Sequence, residues 1–155
     1  MRLDRSFTYR LHRLHKLSDV ASQQAYEQEL GLTLGEGRCL AAIGSFSDTE
    51  GRMSVKELAH FANLDKSQAS RSAQMLIDRG LVKKTHSQRD ARSVALKLTR
   101  QGATTYRHSI TLIERRNHEI FGALNSAQSR ALSEVLDILL MANAVEALER
   151  LIGGN

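Results

Sequence analysis

The sequence predicts a mainly α (α+β) fold that carries a single two-stranded β-hairpin, and three observations predict it. Proline is absent from all 155 residues, which permits long uninterrupted helices. Apolar residues recur at three- and four-residue spacing along most of the chain. Only between 81 and 98 does the period shorten to an alternation, in Leu81–Thr85 and again in Val94–Leu98. The segment between those two runs, HSQRDARS (86–93), is charged and suits an exposed hairpin tip.

The first helix is expected from Asp4 to about Leu30, with Phe7, Leu11, Leu14, Ser18, Ala21 and Ala25 along one side. Arg2, Arg5, Arg10, Arg13 and Lys16 make the other faces of its first half basic. Gly31 breaks it. Thr33 and Glu36 then form a capping box, in which hydroxyl and carboxylate each accept an otherwise orphaned backbone N–H. A second helix follows through Leu40 and Ile43 to about Phe46. Residues 47–52, SDTEGR, read as a polar loop. Ser54 and Glu57 repeat the box and open a third, short helix with Val55, Leu58 and Ala62 inward.

Asn63-Leu64 connects tightly to the stretch around which the chain is organised, Asp65 to Leu81. Asp65 is a good N-cap and Gln68 stands where its box partner belongs. Ala69, Ala73, Leu76 and Ile77 make one apolar stripe. The opposite face holds Lys66, Ser67, Gln68, Ser70, Arg71 and Gln74, short polar or basic groups with no acid among them after the cap. Side chains of this kind suit base edges and phosphates in a DNA major groove. Gly80 can end the helix in the left-handed conformation. Two short helices joined by about three residues and followed by a hairpin make a winged helix-turn-helix with a two-stranded β-wing.

Thr99 can cap a fifth helix that runs to about Leu124 with Ile110, Leu112, Ile113, Ile120 and Phe121, before Asn125-Ser126 interrupts it. A sixth, Ser126 to Leu151, carries a broad stripe including Leu132, Val135, Leu136, Leu139, Leu140 and Leu148. These terminal helices are long beside a small winged core, which implies pairing with a second copy about a two-fold axis. Residues 1–32 and 100–155 are assigned to a helical dimerisation region and 33–99 to the winged helix-turn-helix, in a single compact domain overall.

Charge supports a polyanionic partner. The chain carries +5 with pI near 9.7. From Asn63 to Arg100, nine Lys/Arg stand against three Asp, a local +6, whereas Glu119 to Arg150 is −3. The basic excess therefore marks one region. A single cysteine excludes an internal disulfide framework, no segment is apolar enough for a signal peptide or a bilayer span, and the cytoplasm is the expected compartment. Phosphate-binding glycine loops, nucleophile elbows and zinc-protease motifs are all missing, so neither an enzyme nor a cofactor is expected.

The residues L-G-E-G-R-C-L (34–40), S-V-K-E-L-A (54–59), S-Q-A-S-R-S-A-Q-M-L (67–76), D-R-G-L-V (78–82), D-A-R (90–92) and L-T-R-Q-G (98–102) resemble the multiple-antibiotic-resistance regulator (MarR) family in order and spacing. The resemblance implies a homodimeric regulator of transcription, usually a repressor, that binds pseudo-palindromic double-stranded DNA and is released by a small molecule. It places Ser67, Gln68, Ser70, Arg71 and Gln74 toward the major groove. Arg92 at the wing would enter the minor groove, with Asp90 holding its guanidinium. Lys83, Lys84 and Arg89 would meet backbone phosphates, which set affinity and salt dependence.

The family's effector pocket lies where the dimerisation helices meet the winged core, here the first and second helices and the start of the fifth. The cluster Arg10, His12, Arg13 and His15 lies on the first helix and Arg38 on the second. Arg10, His12, Arg13 or Arg38 would engage an anion, so the expected effector is an aromatic acid or its coenzyme A thioester. Two alternatives keep the same fold: redox sensing through Cys39, and metal sensing. Against them, Cys39 stands where the second helix needs a small apolar residue, and the histidines lack converging ligands. A third alternative is a helical interaction module that does not touch DNA. It requires acidic or apolar residues on the 66–74 face, and the sequence has neither.

Overall fold

The computed structural model describes residues 2–46, 53–86 and 94–152, with side chains for 2–46, 53–85 and 95–144. These residues form α1 (Phe7–Leu30), α2 (Leu34–Phe46), α3 (Val55–Phe61), α4 (Lys66–Asp78), β1 (Val82–His86), β2 (Val94–Leu98), α5 (Arg100–Phe121) and α6 (Ser126–Ile152). This is the mainly helical winged fold that the sequence predicts.

Side-chain caps fix where the helices begin. Both halves of the capping box are present at Thr33/Glu36, Ser54/Glu57 and Asp65/Gln68. A fourth, not foreseen, joins Asn125 and Gln128 at the start of α6, each accepting the other's backbone N–H at 2.9 Å. Helix α1 starts later than Asp4. The Asp4 carboxylate is held by the Arg2 guanidinium at 3.1 Å, and Leu3–Arg5 is a single 3-10 turn. Ser6 caps instead, its Oγ accepting the Tyr9 N–H at 3.2 Å.

Helix α4 ends at Asp78, with Arg79 as C-cap and Gly80 in the left-handed region at φ +70°. Leu81 does not open the strand as expected. Its N–H donates to the Leu76 carbonyl at 2.9 Å, completing the helix end, and the ladder begins one residue later. β1 and β2 pair antiparallel from Val82 opposite Leu98 to His86 opposite Val94. Leu96 also donates to the Met53 carbonyl at 3.1 Å, which ties the approach to α3 onto the hairpin.

The chain divides into two compact units, residues 1–116 and 117–155. The packing of the first unit accounts for its extent. Leu32, Leu40, Ile43, Leu58, Leu76 and Val82 are fully buried in the first unit, and Ser109 and Leu112 of α5 are buried there with them. From α1 it is Tyr26 that enters this core. Phe7, Leu11 and Leu14 remain exposed, so only the second half of α1 packs on the winged core. Two tyrosines lie against glycines of α2: an added Cβ on Gly37 would stand 2.3 Å from the Tyr26 ring, and one on Gly44 equally close to the Tyr106 ring.

The second unit holds the end of α5 and α6. Gly122 donates to the His118 carbonyl at 2.7 Å and Leu124 to that of Phe121 at 2.9 Å, closing α5 before the Asn125 cap. Along α6, Val135, Leu136, Ile138, Leu139, Leu140 and Met141 are all exposed.

Candidate nucleic-acid interface

The site is one side of α4 and the strand that follows it. Ala69, Ala73 and Leu76 are buried against the core, which leaves Lys66, Ser67, Gln68, Ser70, Arg71 and Gln74 exposed on the other side. Gln68 has a structural duty as well, since its Oε1 accepts the Asp65 N–H at 3.3 Å. Lys66 and Arg71 have no ion-pair partner among the described residues. Ser72, absent from the sequence reading, turns toward α2: a Cβ on Gly35 would lie 3.1 Å from its Oγ. Small residues on both sides thus let α4 approach α2 closely.

The acids next to this face are engaged. Asp65 caps the helix, its Oδ1 accepting the Gln68 N–H at 2.7 Å. Asp78 accepts the Gln74 Nε2–H at 2.7 Å, and Lys84 of β1 donates to Gln74 Oε1 at 3.5 Å. Lys83 is exposed and directly opposite Lys97. Like charges facing across a ladder repel, and an anion between them removes that cost. Lys97 is therefore a basic residue of the surface that the sequence reading counted but did not single out. Arg89, Asp90 and Arg92 lie outside the described residues.

The far end of α4 is bolted to the α1–α2 junction. Arg79 donates from Nη1 to the Gly31 carbonyl, and its Nη2 lies 3.8 Å from Glu36 Oε2. Glu36 is only 3% exposed and spends the same oxygen on the Thr33 N–H at 2.8 Å. On the strand side, Thr99 Oγ1 donates to the Gly80 carbonyl at 2.7 Å and accepts the Gly102 N–H at 3.0 Å, so it caps α5 and clamps the turn after α4 together.

The expected effector residues are only partly brought together. A groove of about 610 Å³ on α1 and the first residue of α2 is lined by His12, His15, Lys16, Asp19, Val20, Gln23, Gln24 and Leu34. Arg10 and Arg13 are exposed on α1 but do not line it, and neither does any residue of α5. Arg38 is matched internally, its Nη2 donating to Asp19 Oδ1 at 2.6 Å, while His15 Nε2 stands 3.4 Å from the other carboxylate oxygen. Gln23 Oε1 accepts the Leu34 N–H at 2.8 Å, which joins the groove to the start of α2.

Cys39 is fully buried on α2. Burial pushes its thiol up to about 11; a hydrogen bond with Ser72 lowers it and the nearby Glu36 charge raises it. Such a thiol stays protonated and unreactive at neutral pH, which weighs against redox sensing. Among the described residues, no group of three or more His, Cys, Asp or Glu side chains could hold a metal ion, and no helix is long and apolar enough to cross a membrane.

A family model described as MarR family matches residues 30–93, 64 of the 155. That segment is similar to the MarR family of winged-helix transcriptional regulators. A MarR/EmrR family regulator from Acinetobacter sp. ADP1 is similar over 95% of this chain and 99% of its own, at 24% identity and a TM-score of 0.79. A MarR-family protein of Mycobacterium tuberculosis in complex with salicylic acid is 25% identical over 86% of this chain and 96% of its own, TM-score 0.68. CouR from Rhodococcus jostii RHA1, bound to p-coumaroyl-CoA, is 18% identical over 90% and 94%, TM-score 0.77. No curated protein matches the chain.

Proposed function

We propose that this chain acts as a homodimeric repressor that holds a pseudo-palindromic operator and releases it on binding an aromatic carboxylate or its coenzyme A thioester. The observation that carries the DNA reading is the split of α4: three residues buried in the core, and six polar or basic side chains exposed opposite them. Arg71 and Gln74 lie where a helix in the major groove meets base edges, and Lys66, Lys83, Lys84 and Lys97 supply phosphate contacts. At the wing, Arg92 would reach the minor groove with Asp90 and Arg89 beside it.

The dimer reading rests on apolar surface. Phe7, Leu11, Leu14 and Leu17 of α1 are exposed, as are six consecutive or near-consecutive apolar residues of α6. Leaving this much apolar surface in water is unfavourable, and a second copy covers it. These helices therefore form the dimerisation region of this reading.

The effector reading rests on two relatives that hold an aromatic acid or an aromatic acyl thioester, and on the cationic side chains of the α1 groove. His12 and Lys16 are better placed for an anion than Arg38 and His15, which both face Asp19. The test is fluorescence anisotropy with a labelled duplex from the DNA upstream of the protein's own gene, followed by titration with salicylate, p-coumarate and p-coumaroyl-CoA. Tight binding released by one of these compounds is the expected result. Specific binding that none releases removes the effector, and no specific binding near 50 mM salt removes the DNA reading.

A further inference from the structure

Gln74 sits between two ionic partners with opposite requirements. The Asp78 carboxylate, one helical turn further along α4, can only accept, so it faces the amide nitrogen, at 2.7 Å. The Lys84 ammonium, across on β1, can only donate, so it faces the amide oxygen, at 3.5 Å. A glutamine amide on an open surface flips between two orientations that differ only in which end is donor. Here the flip would set nitrogen against ammonium and oxygen against carboxylate, and both contacts forbid it.

We propose that Asp78 is a positioning residue that fixes the base preference of Gln74. The inference rests on the reading of α4 as the helix that meets DNA. With one N–H and one lone pair used inward, the amide keeps one N–H and one lone pair for the groove, donor on the Asp78 side and acceptor on the wing side. Adenine offers the complementary pair in the major groove, N7 as acceptor and the N6 amino group as donor, whereas guanine offers two acceptors there. The pinned amide therefore selects adenine in one strand orientation. Lys84 adds a second consequence: the strand leading to the wing tip is tied to the side chain that reads the base. Asp78 itself stays out of contact with DNA, because an acid facing phosphates is repelled.

Selection of binding sites from a random duplex pool, followed by affinities on single-base-pair variants of the selected site, tests this with wild type, Asp78→Ala and Asp78→Glu. Wild type should select A·T at one position and lose about tenfold on substitution there. Asp78→Ala should flatten the preference at that one position, keep it elsewhere, and bind unrelated DNA no more weakly than wild type, since it removes a negative charge. Asp78→Glu, which still reaches Gln74 across one turn, should restore the preference. An unchanged base profile in Asp78→Ala overturns the positioning role, as does a uniform loss at every position with no rescue by Asp78→Glu. A wild-type protein that selects no sequence at all overturns the DNA reading, and this inference with it.

Discussion

Arg79 at the end of α4 lies 3.8 Å from Glu36, a carboxylate near the start of α2 that is 3% exposed. The same guanidinium donates to the Gly31 carbonyl at the end of α1, so one side chain joins three helix ends. Glu36 also caps its own helix through the Thr33 N–H. Glu36→Ala should cost about 1–3 kcal/mol, since it orphans a backbone donor and strips Arg79 of its partner. Arg79→Ala should cost less, because Arg79 is half in solvent and the ion pair is partly screened. Urea unfolding of both variants measures the order.

Gly102, in the first turn of α5, lies against Leu81 just beyond the end of α4. A Cβ there would lie 1.8 Å from the Leu81 carbonyl oxygen, a backbone atom that Thr99 already holds. Gly102→Ala should destabilise by about 3 kcal/mol, at the top of the range for overpacking. Gly80→Ala meets no atom within 4 Å and suffers only the left-handed backbone, at about 1–2 kcal/mol. Thermal unfolding distinguishes the two.

Cys39 should resist thiol reagents. Its folded pKa of about 11 is above the ordinary thiol value, so the thiolate is scarce below that pH and the group is buried as well. A disulfide reagent at pH 8 should label the native protein at the rate of global opening and label it promptly in denaturant. Prompt labelling of the native protein would reinstate the redox alternative.

The Glu57 carboxylate sits below its ordinary value because the Ser54 backbone N–H donates to it, helped by the Ser54 side chain. A depressed folded pKa means the stabilisation is present above the unfolded value and is lost as pH falls through the folded one. Melting temperature should therefore drop less between about pH 5 and 3 in Glu57→Gln, which keeps an acceptor but does not titrate.

Leu139→Asp sets a carboxylate in the exposed apolar stretch of α6. If a second copy covers that stretch, the substitution buries an unpaired charge and should leave a monomer by analytical ultracentrifugation at micromolar protein. A dimer of undiminished stability would move the interface elsewhere.

Local chemistry was legible in the sequence and long-range pairing was not. The boxes at Thr33, Ser54 and Asp65 were readable because both partners lie within four residues. The Asn125–Gln128 box has the same spacing, but Asn125-Ser126 reads equally well as a plain interruption between helices. The apolar pattern of α1 correctly indicated a helix, yet periodicity carries no information on which half finds a partner within the chain. Tyr26 against Gly37 and Arg38 against Asp19 depend on how α1 and α2 cross, and neither pair has a sequence signature. At the candidate site, the exposed face of α4 was visible as residue types. The Gln74–Asp78 contact was readable too, at i,i+4, but the Lys84 contact needed the hairpin in place.

The most direct test of α4 as a DNA-reading helix is the salt dependence of binding to the upstream duplex, measured by anisotropy from about 50 to 200 mM salt. Wild-type affinity should fall by orders of magnitude across that range. Lys83→Gln should reduce the slope by about one while leaving base preference intact, and Arg71→Ala should lose discrimination by about 1–3 kcal/mol at its own position. Binding that ignores salt, or an Arg71→Ala variant that discriminates like wild type, would contradict the assignment.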